Sequence, residues 1–295
     1  MPPTAENCSF KKMARRIETQ KFLLFLESAL IVAIMVALVV VVALQVFGMM
    51  GIIFVLIGVL MLAFVSQSQG QPPIPDNLMP VSREQGWHIY EILDELISKA
   101  QLKQSPSVYL LAEDMMNAAT LETQEGPIIV LTPSTANKLN IRQLRGILAH
   151  EVAHLEFRDT VLLKLTLIVH IITQSIANVA WFMLIMFFPL LILSEGTFPL
   201  HLLLILFLAP IASVLLQLAF SRSRELNADL GALELTNDPE GLADALERID
   251  RVQSHTISQL FPFKRPKQPS SIFRSHPNIP TRIQRLRKIA RENKL

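Results

Sequence analysis

Leu148-Ala149-His150-Glu151-Val152-Ala153-His154 contains an H-E-x-x-H pattern. Residues i and i+4 lie one turn apart on the same face of a helix. Two imidazoles placed there can both reach one zinc ion at ~2.0–2.1 Å. Glu151 falls beside them, where its carboxylate can act as a general base toward water. The helix has independent support. Asn140 with Gln143 resembles a capping box, and Leu144, Ile147 and Leu148 recur at helical spacing. We therefore expect His150 and His154 as metal ligands and Glu151 as the base.

A third ligand must come from elsewhere. A distal histidine in the pattern H-E-x-x-H-x-x-G-x-x-H is excluded, because Phe157 and Thr160 occupy the glycine and histidine places. A glutamate on a second helix is the usual alternative, and Glu225 fits best. It begins Glu225-Leu226-Asn227-Ala228-Asp229, which puts Asp229 one turn further on the same face. A carboxylate there can accept the outer N–H of a ligating histidine and fix its tautomer. Asp159 is a further candidate for that task. The bland reading of Arg222, Glu225 and Asp229 is a surface ion-pair ladder. An intramembrane protease would pair the motif with an aspartate on a distant span. Asn237-Asp238-Pro239-Glu240-Gly241 resembles such a motif superficially, but it lies in a polar stretch and reads as a helix cap.

The chain has 295 residues, of which 51% are hydrophobic and only 18% charged. A net charge of +2 argues against a nucleic-acid partner. Cys8, the single cysteine, excludes an internal disulfide framework and a cysteine-based zinc site. The apolar residues fall in blocks. Residues 22–47 carry one charge, Glu27, and residues 48–65 carry none. A second pair, 161–193 and 198–220, is interrupted by Ser194-Glu195-Gly196-Thr197. Each block is long enough to cross a bilayer as a helix, which needs about 20 residues. Lys11, Lys12, Arg15, Arg16 and Lys21 precede the first block, Arg222 and Arg224 follow the last, and both links lack Lys and Arg. The positive-inside rule then predicts a multi-pass protein of the inner (plasma) membrane, embedded in the lipid bilayer with both termini cytoplasmic. His170, deep in the third block, reads as a hydrogen-bonded packing residue or a polar contact for substrate.

The expected organisation follows. Residues 1–21 form a cytoplasmic segment, 22–66 and 161–220 form two transmembrane hairpins, and 67–160 with 221–295 form one cytoplasmic domain. Within that domain, 67–80 reads as a linker, 83–100 as a helix, and 107–111 and 127–132 as strands joined by a turn-rich stretch. Residues 222–235, 239–253 and 280–294 read as helices, the last with Ile283, Leu286 and Ile289 or Ala290 on a face docked to its own domain. The fold class is thus a mainly α membrane protein with four transmembrane helices and a cytoplasmic α+β domain.

Taken together, Leu148 to His154 with Asp159, Ser223-Arg224-Glu225-Leu226-Asn227-Ala228-Asp229, Ser275-His276-Pro277 with Arg282, and the two hairpins resemble the M48 family of membrane metallopeptidases. The resemblance implies a gluzincin-like fold and hydrolysis of peptide bonds. It implies one Zn2+ on His150, His154 and Glu225, with Glu151 as base and His276 and Arg282 stabilising the oxyanion. It also implies a substrate-lining strand at Asn117-Ala118-Ala119, where Ala119 replaces the family's aromatic. Protein substrates would add there as an extra strand. Membrane or misfolded proteins, cleaved in quality control, are the substrates that the resemblance suggests. A rival from another class is a non-catalytic membrane scaffold or chaperone with a vestigial zinc site. A zinc transporter would need polar ligands within the spans, and only His170 lies deep enough.

Overall fold

The computed structural model of the chain describes residues 5–68, 71–156, 160–193, 200–260 and 279–293. In chain order the helices are α1 (Ala5–Phe47), α2 (Met49–Ser68), α3 (Trp87–Ala100), α4 (Pro133–Lys138), α5 (Ile141–Glu156), α6 (Thr160–Leu193), α7 (Leu200–Thr236), α8 (Pro239–Leu260) and α9 (Ile279–Asn293). The strands are β1 (Leu78–Pro80), β2 (Ser107–Leu111), β3 (Ala118–Thr123) and β4 (Gly126–Leu131). The chain divides into two compact units. One combines Met1–Leu24, Gln71–Arg158 and Arg224–Leu295; the other combines Phe25–Gly70 and Asp159–Ser223.

The second unit is helical. Among the described residues, three helices are long and apolar enough to cross a membrane, over Ile17–Phe47, Ile168–Met186 and Leu203–Thr236. Met49–Met61 is a shorter apolar helix. Met35, Val39 and Ala43 of α1, Val55 of α2, Ile172 of α6 and Phe220 of α7 share a buried core. Phe54, Leu60, Phe182 and Phe207 are exposed. So much outward apolar surface is what lipid contact requires. The turn between α1 and α2 uses Gly48 at φ 62°, a left-handed conformation that lacks a steric penalty only for glycine. Two polar pairs lie inside this unit. His170 Nδ1 lies 3.0 Å from Ser213 Oγ, and Ser28 Oγ lies 3.0 Å from Ser223 Oγ.

The first unit holds a four-stranded sheet in the order β1-β2-β4-β3. β2 and β4 are parallel, and the outer pairs are antiparallel. Two of these strands depart from the sequence expectation. β1 falls in the expected linker; it is three residues long and ends at Pro80. Proline lacks a donor and is tolerated on an edge strand. β3 falls in the expected turn-rich stretch, and pairing with β4 imposes its extended form. Helix α7 runs from the last apolar block into the helix expected over 222–235. One core unites Leu93 and Leu96 of α3, Leu131 of β4, Leu148 and Val152 of α5, Leu233 of α7, Leu246 of α8 and Leu286 of α9. Ile17 and Leu24 of α1 pack into the same core.

Capping sets where the key helices begin. Asn140 Oδ1 accepts from Gln143 N at 2.8 Å, and Gln143 Oε1 accepts from Asn140 N at 3.2 Å, which is a capping box. Asp238 Oδ1 accepts from Gly241 N at 3.0 Å at the start of α8, and the Asp238 carboxylate also pairs with Arg142 of α5. A Cβ added at Gly146 would lie 2.9 Å from the backbone of Leu242, so α5 and α8 approach closely only because that side chain is absent.

Two predictions follow from this joint. Gly146→Ala forces the helices apart and should cost about 1–3 kcal/mol, read as a lowered urea midpoint of the detergent-solubilised chain. Asp238→Ala should cost about 1 kcal/mol through the lost cap. Hydrogen bonding from Arg142 holds the Asp238 carboxylate below the usual range despite its partial burial. A group with a depressed folded pKa stabilises above its unfolded value and loses that contribution as pH falls. The gap in stability between Asp238→Ala and wild type should therefore be full at neutral pH and shrink below about pH 4.

Candidate metal centre

The core-facing side of α5 carries His150 and Glu151, both buried, with His154 one turn on and partly buried. Helix α7 brings Glu225 and Asp229, one turn apart and both buried. Ligand atoms of His150, His154 and Glu225 all lie within 4.8 Å of one another. His150 Nε2 is 3.4 Å from Glu225 Oε2, and His154 Nε2 is 3.6 Å from Glu225 Oε1. Donors at ~2.0–2.1 Å around a tetrahedral ion stand about 3.4 Å apart. Two nitrogens and one carboxylate oxygen are also the donor set of a catalytic zinc site. The chemistry fits one such ion, and the spacings are close to what it needs, with each imidazole facing a different oxygen of the one carboxylate.

Asp229 Oδ1 lies 3.1 Å from His150 Nδ1, the ring nitrogen that does not face Glu225. A bond there leaves Nε2 as the lone-pair nitrogen for a metal. Arg282 of α9 closes the group. Its Nε and Nη2 donate to Asp229 at 2.9 and 2.7 Å, and its Nη1 donates to Glu225 Oε2 at 3.1 Å. The Arg282 side chain is only 2% exposed, so these charges meet almost out of water.

Burial and the Arg282 charge push the His150 imidazole down. Hydrogen bonds donated to Asp229 and Glu225 outweigh them and hold it at about 9. Burial alone would raise Asp229, but Arg282 and His150 hold it at about 2. Burial likewise opposes the charge on Arg282, and the two carboxylates keep it above its ordinary value. Because ligands bind metal in their deprotonated form, a metal ion and a proton compete for His150.

The remaining expected site residues divide. Asp159 and His276 lie outside the described residues. Asn117 sits just before β3. Its backbone N–H donates to Thr132 Oγ1 at 3.0 Å, its carbonyl accepts from Thr135 Oγ1 at 2.9 Å, and its Oδ1 accepts from Ala118 N at 3.0 Å. Ala118 and Ala119 open β3, the terminal strand of the sheet. Thr120, which the sequence did not single out, donates from Oγ1 to Glu151 Oε2 at 2.8 Å. A lone threonine in a short mixed strand carries no pattern that would have marked it.

Comparison with known proteins places these residues in context. The sequence pattern of Peptidase family M48 matches residues 82–290. The protein named Protease HtpX homolog from Burkholderia multivorans is 32% identical over 228 residues, covering 73% of this chain and 78% of its own. Its namesake from Polynucleobacter necessarius subsp. necessarius is 31% identical over 289 residues, covering 90% and 96%. That from Methylibium petroleiphilum is 35% identical over 181 residues, covering 59% and 60%.

The buried charge cluster yields its own prediction. Arg282→Met leaves two buried carboxylates without their guanidinium and should cost about 3–5 kcal/mol in the metal-stripped protein, measured by urea unfolding. Arg282→Lys should recover only part, since one ammonium cannot reproduce a planar fork facing two partners.

Proposed function

The chain belongs to peptidase family M48 and is a membrane metalloprotease, and from that premise we propose that its metal is a single zinc ion held by His150, His154 and Glu225. The observation that carries this reading is the pair of 3.4 and 3.6 Å separations joining both imidazoles to one carboxylate. When bound, zinc would supply Lewis acidity, polarising the scissile carbonyl and acidifying water.

The protein's own groups do the rest. Asp229 fixes the tautomer of His150. Arg282 holds Glu225 and Asp229 in register, and these bonds support a positioning role for it alongside the oxyanion role that the resemblance gives it. His276 would supply the other oxyanion donor. Glu151 takes a proton from the attacking water and delivers it to the leaving amine. Asp159 is assigned to orienting a ligand histidine, and Asn117, Ala118 and Ala119 to lining the substrate path along β3. A free strand edge accepts peptide backbone with little demand on its side chains.

We read the fold around this site as gluzincin-like. Residues 22–66 and 161–220 would make four membrane spans as two hairpins, and residues 1–21, 67–160 and 221–295 would lie in the cytoplasm. The lack of Lys and Arg in both hairpin links supports this orientation in the inner membrane. Membrane or misfolded proteins are then the natural substrates, cleaved from the cytoplasmic side in quality control. A non-catalytic scaffold would have no use for a buried general base beside the ligand group.

Two substitutions test the reading. Glu151→Gln should lower casein cleavage by at least a thousandfold while keeping about one zinc per chain, measured by elemental analysis on the detergent-solubilised protein. Glu225→Ala should lose both metal and cleavage. Full metal content in Glu225→Ala would remove Glu225 from the ligand set.

A further inference from the structure

Glu151 is fixed to its helix by its backbone, but a carboxylate at the end of a three-bond side chain still chooses among several orientations. A general base works only when one oxygen is held within hydrogen-bond reach of the proton that it takes. Something must therefore select the orientation. The Thr120 hydroxyl lies 2.8 Å from Glu151 Oε2 and 3.3 Å from the Glu151 carbonyl oxygen. Glu151 is 2% exposed, so water competes little for that bond.

The partner comes from a different element. Thr120 is on β3, where it pairs in register with Ile129 of β4, and β3 is the last strand in the sheet order. Side chains alternate along a strand, so Ala118 and Thr120 share a face while Ala119 points to the opposite one. The face that carries Thr120 is the one against α5, since its hydroxyl meets Glu151 there.

We propose that Thr120 is a positioning residue for the catalytic base: its hydroxyl holds Oε2 of Glu151 and so fixes the carboxylate plane. The proposal rests on Glu151 being the base. It adds that the base is registered to the sheet as well as to its own helix. Peptide laid along β3 and the group that activates water would then share one rigid reference, and effective positioning of this kind is a large part of catalysis.

A purely structural role for Thr120 makes the opposite forecast for two substitutions. Valine matches threonine in shape and strand preference but has no hydroxyl. Serine keeps the hydroxyl and is the weaker strand former. If Thr120 serves only the strand, Thr120→Val should resemble wild type and Thr120→Ser should be the poorer variant. If it positions the base, the order reverses.

The experiment compares wild type, Thr120→Val, Thr120→Ser and Glu151→Gln as full-length chains in detergent. It measures kcat and KM on a quenched fluorescent peptide, zinc per chain, and melting temperature. We expect Thr120→Val to lose about tenfold to a hundredfold in kcat, the worth of a hydrogen bond to a charged group, with KM, zinc content and melting temperature near wild type. Thr120→Ser should stay within about threefold of wild-type kcat, since it keeps that bond. Wild-type kcat in Thr120→Val, or a loss shared equally by Thr120→Ser, overturns the positioning role while Glu151→Gln remains inactive. Turnover retained in Glu151→Gln would instead overturn the assignment of the base itself, and the proposal with it.

Discussion

Arg282 lies against Asp229 and Glu225 with all three side chains withdrawn from water. Taking an ion out of water costs several kcal/mol, and the loss is offset only when partners and geometry are complete. Here the guanidinium donates three bonds to two carboxylates, one of which reaches both imidazoles of α5. That cation joins Glu225 to Asp229, Arg224 Nη2 lies 3.9 Å from the other Glu225 oxygen, and the two Glu225 oxygens turn toward His150 and His154. Arg282 ties α9 to the two carboxylates of α7 that face His150 and His154.

Much of this could be read from the residues alone. H-E-x-x-H places two imidazoles on one helix face whatever surrounds it, and Asn140 with Gln143 marks where that helix starts. Glu225 and Asp229 are one turn apart, so their common face was also legible. The strands were harder. Ser107–Leu111 and Gly126–Leu131 are apolar runs, whereas Ala118–Thr123 mixes small, polar and acidic residues and becomes extended only by pairing with β4. Leu78–Pro80 is too short for any alternation to register.

Tertiary contacts account for the rest. Arg282 is one cation among several on α9, next in kind to Arg285 and Arg287, and no local pattern says which of them is buried. Its distinction comes from α7, more than fifty residues earlier. Thr120 likewise meets Glu151 across 31 residues of sequence. Periodicity reports the face of an element, and it is silent on which side chain of another element will lie opposite. The helix caps at Asn140 and Asp238 were visible for the converse reason, since each bonds three residues away.

The distance along the chain between α5 and α9 has a consequence in time. A ribosome delivers His150 first, Glu225 and Asp229 next, and Arg282 only 132 residues after His150. Until that arginine arrives, Glu225 and Asp229 lack the guanidinium that joins them, and withdrawing both from water costs more. The bonds that tie Glu225 to Asp229 are thus completed only by a helix near the end of the chain.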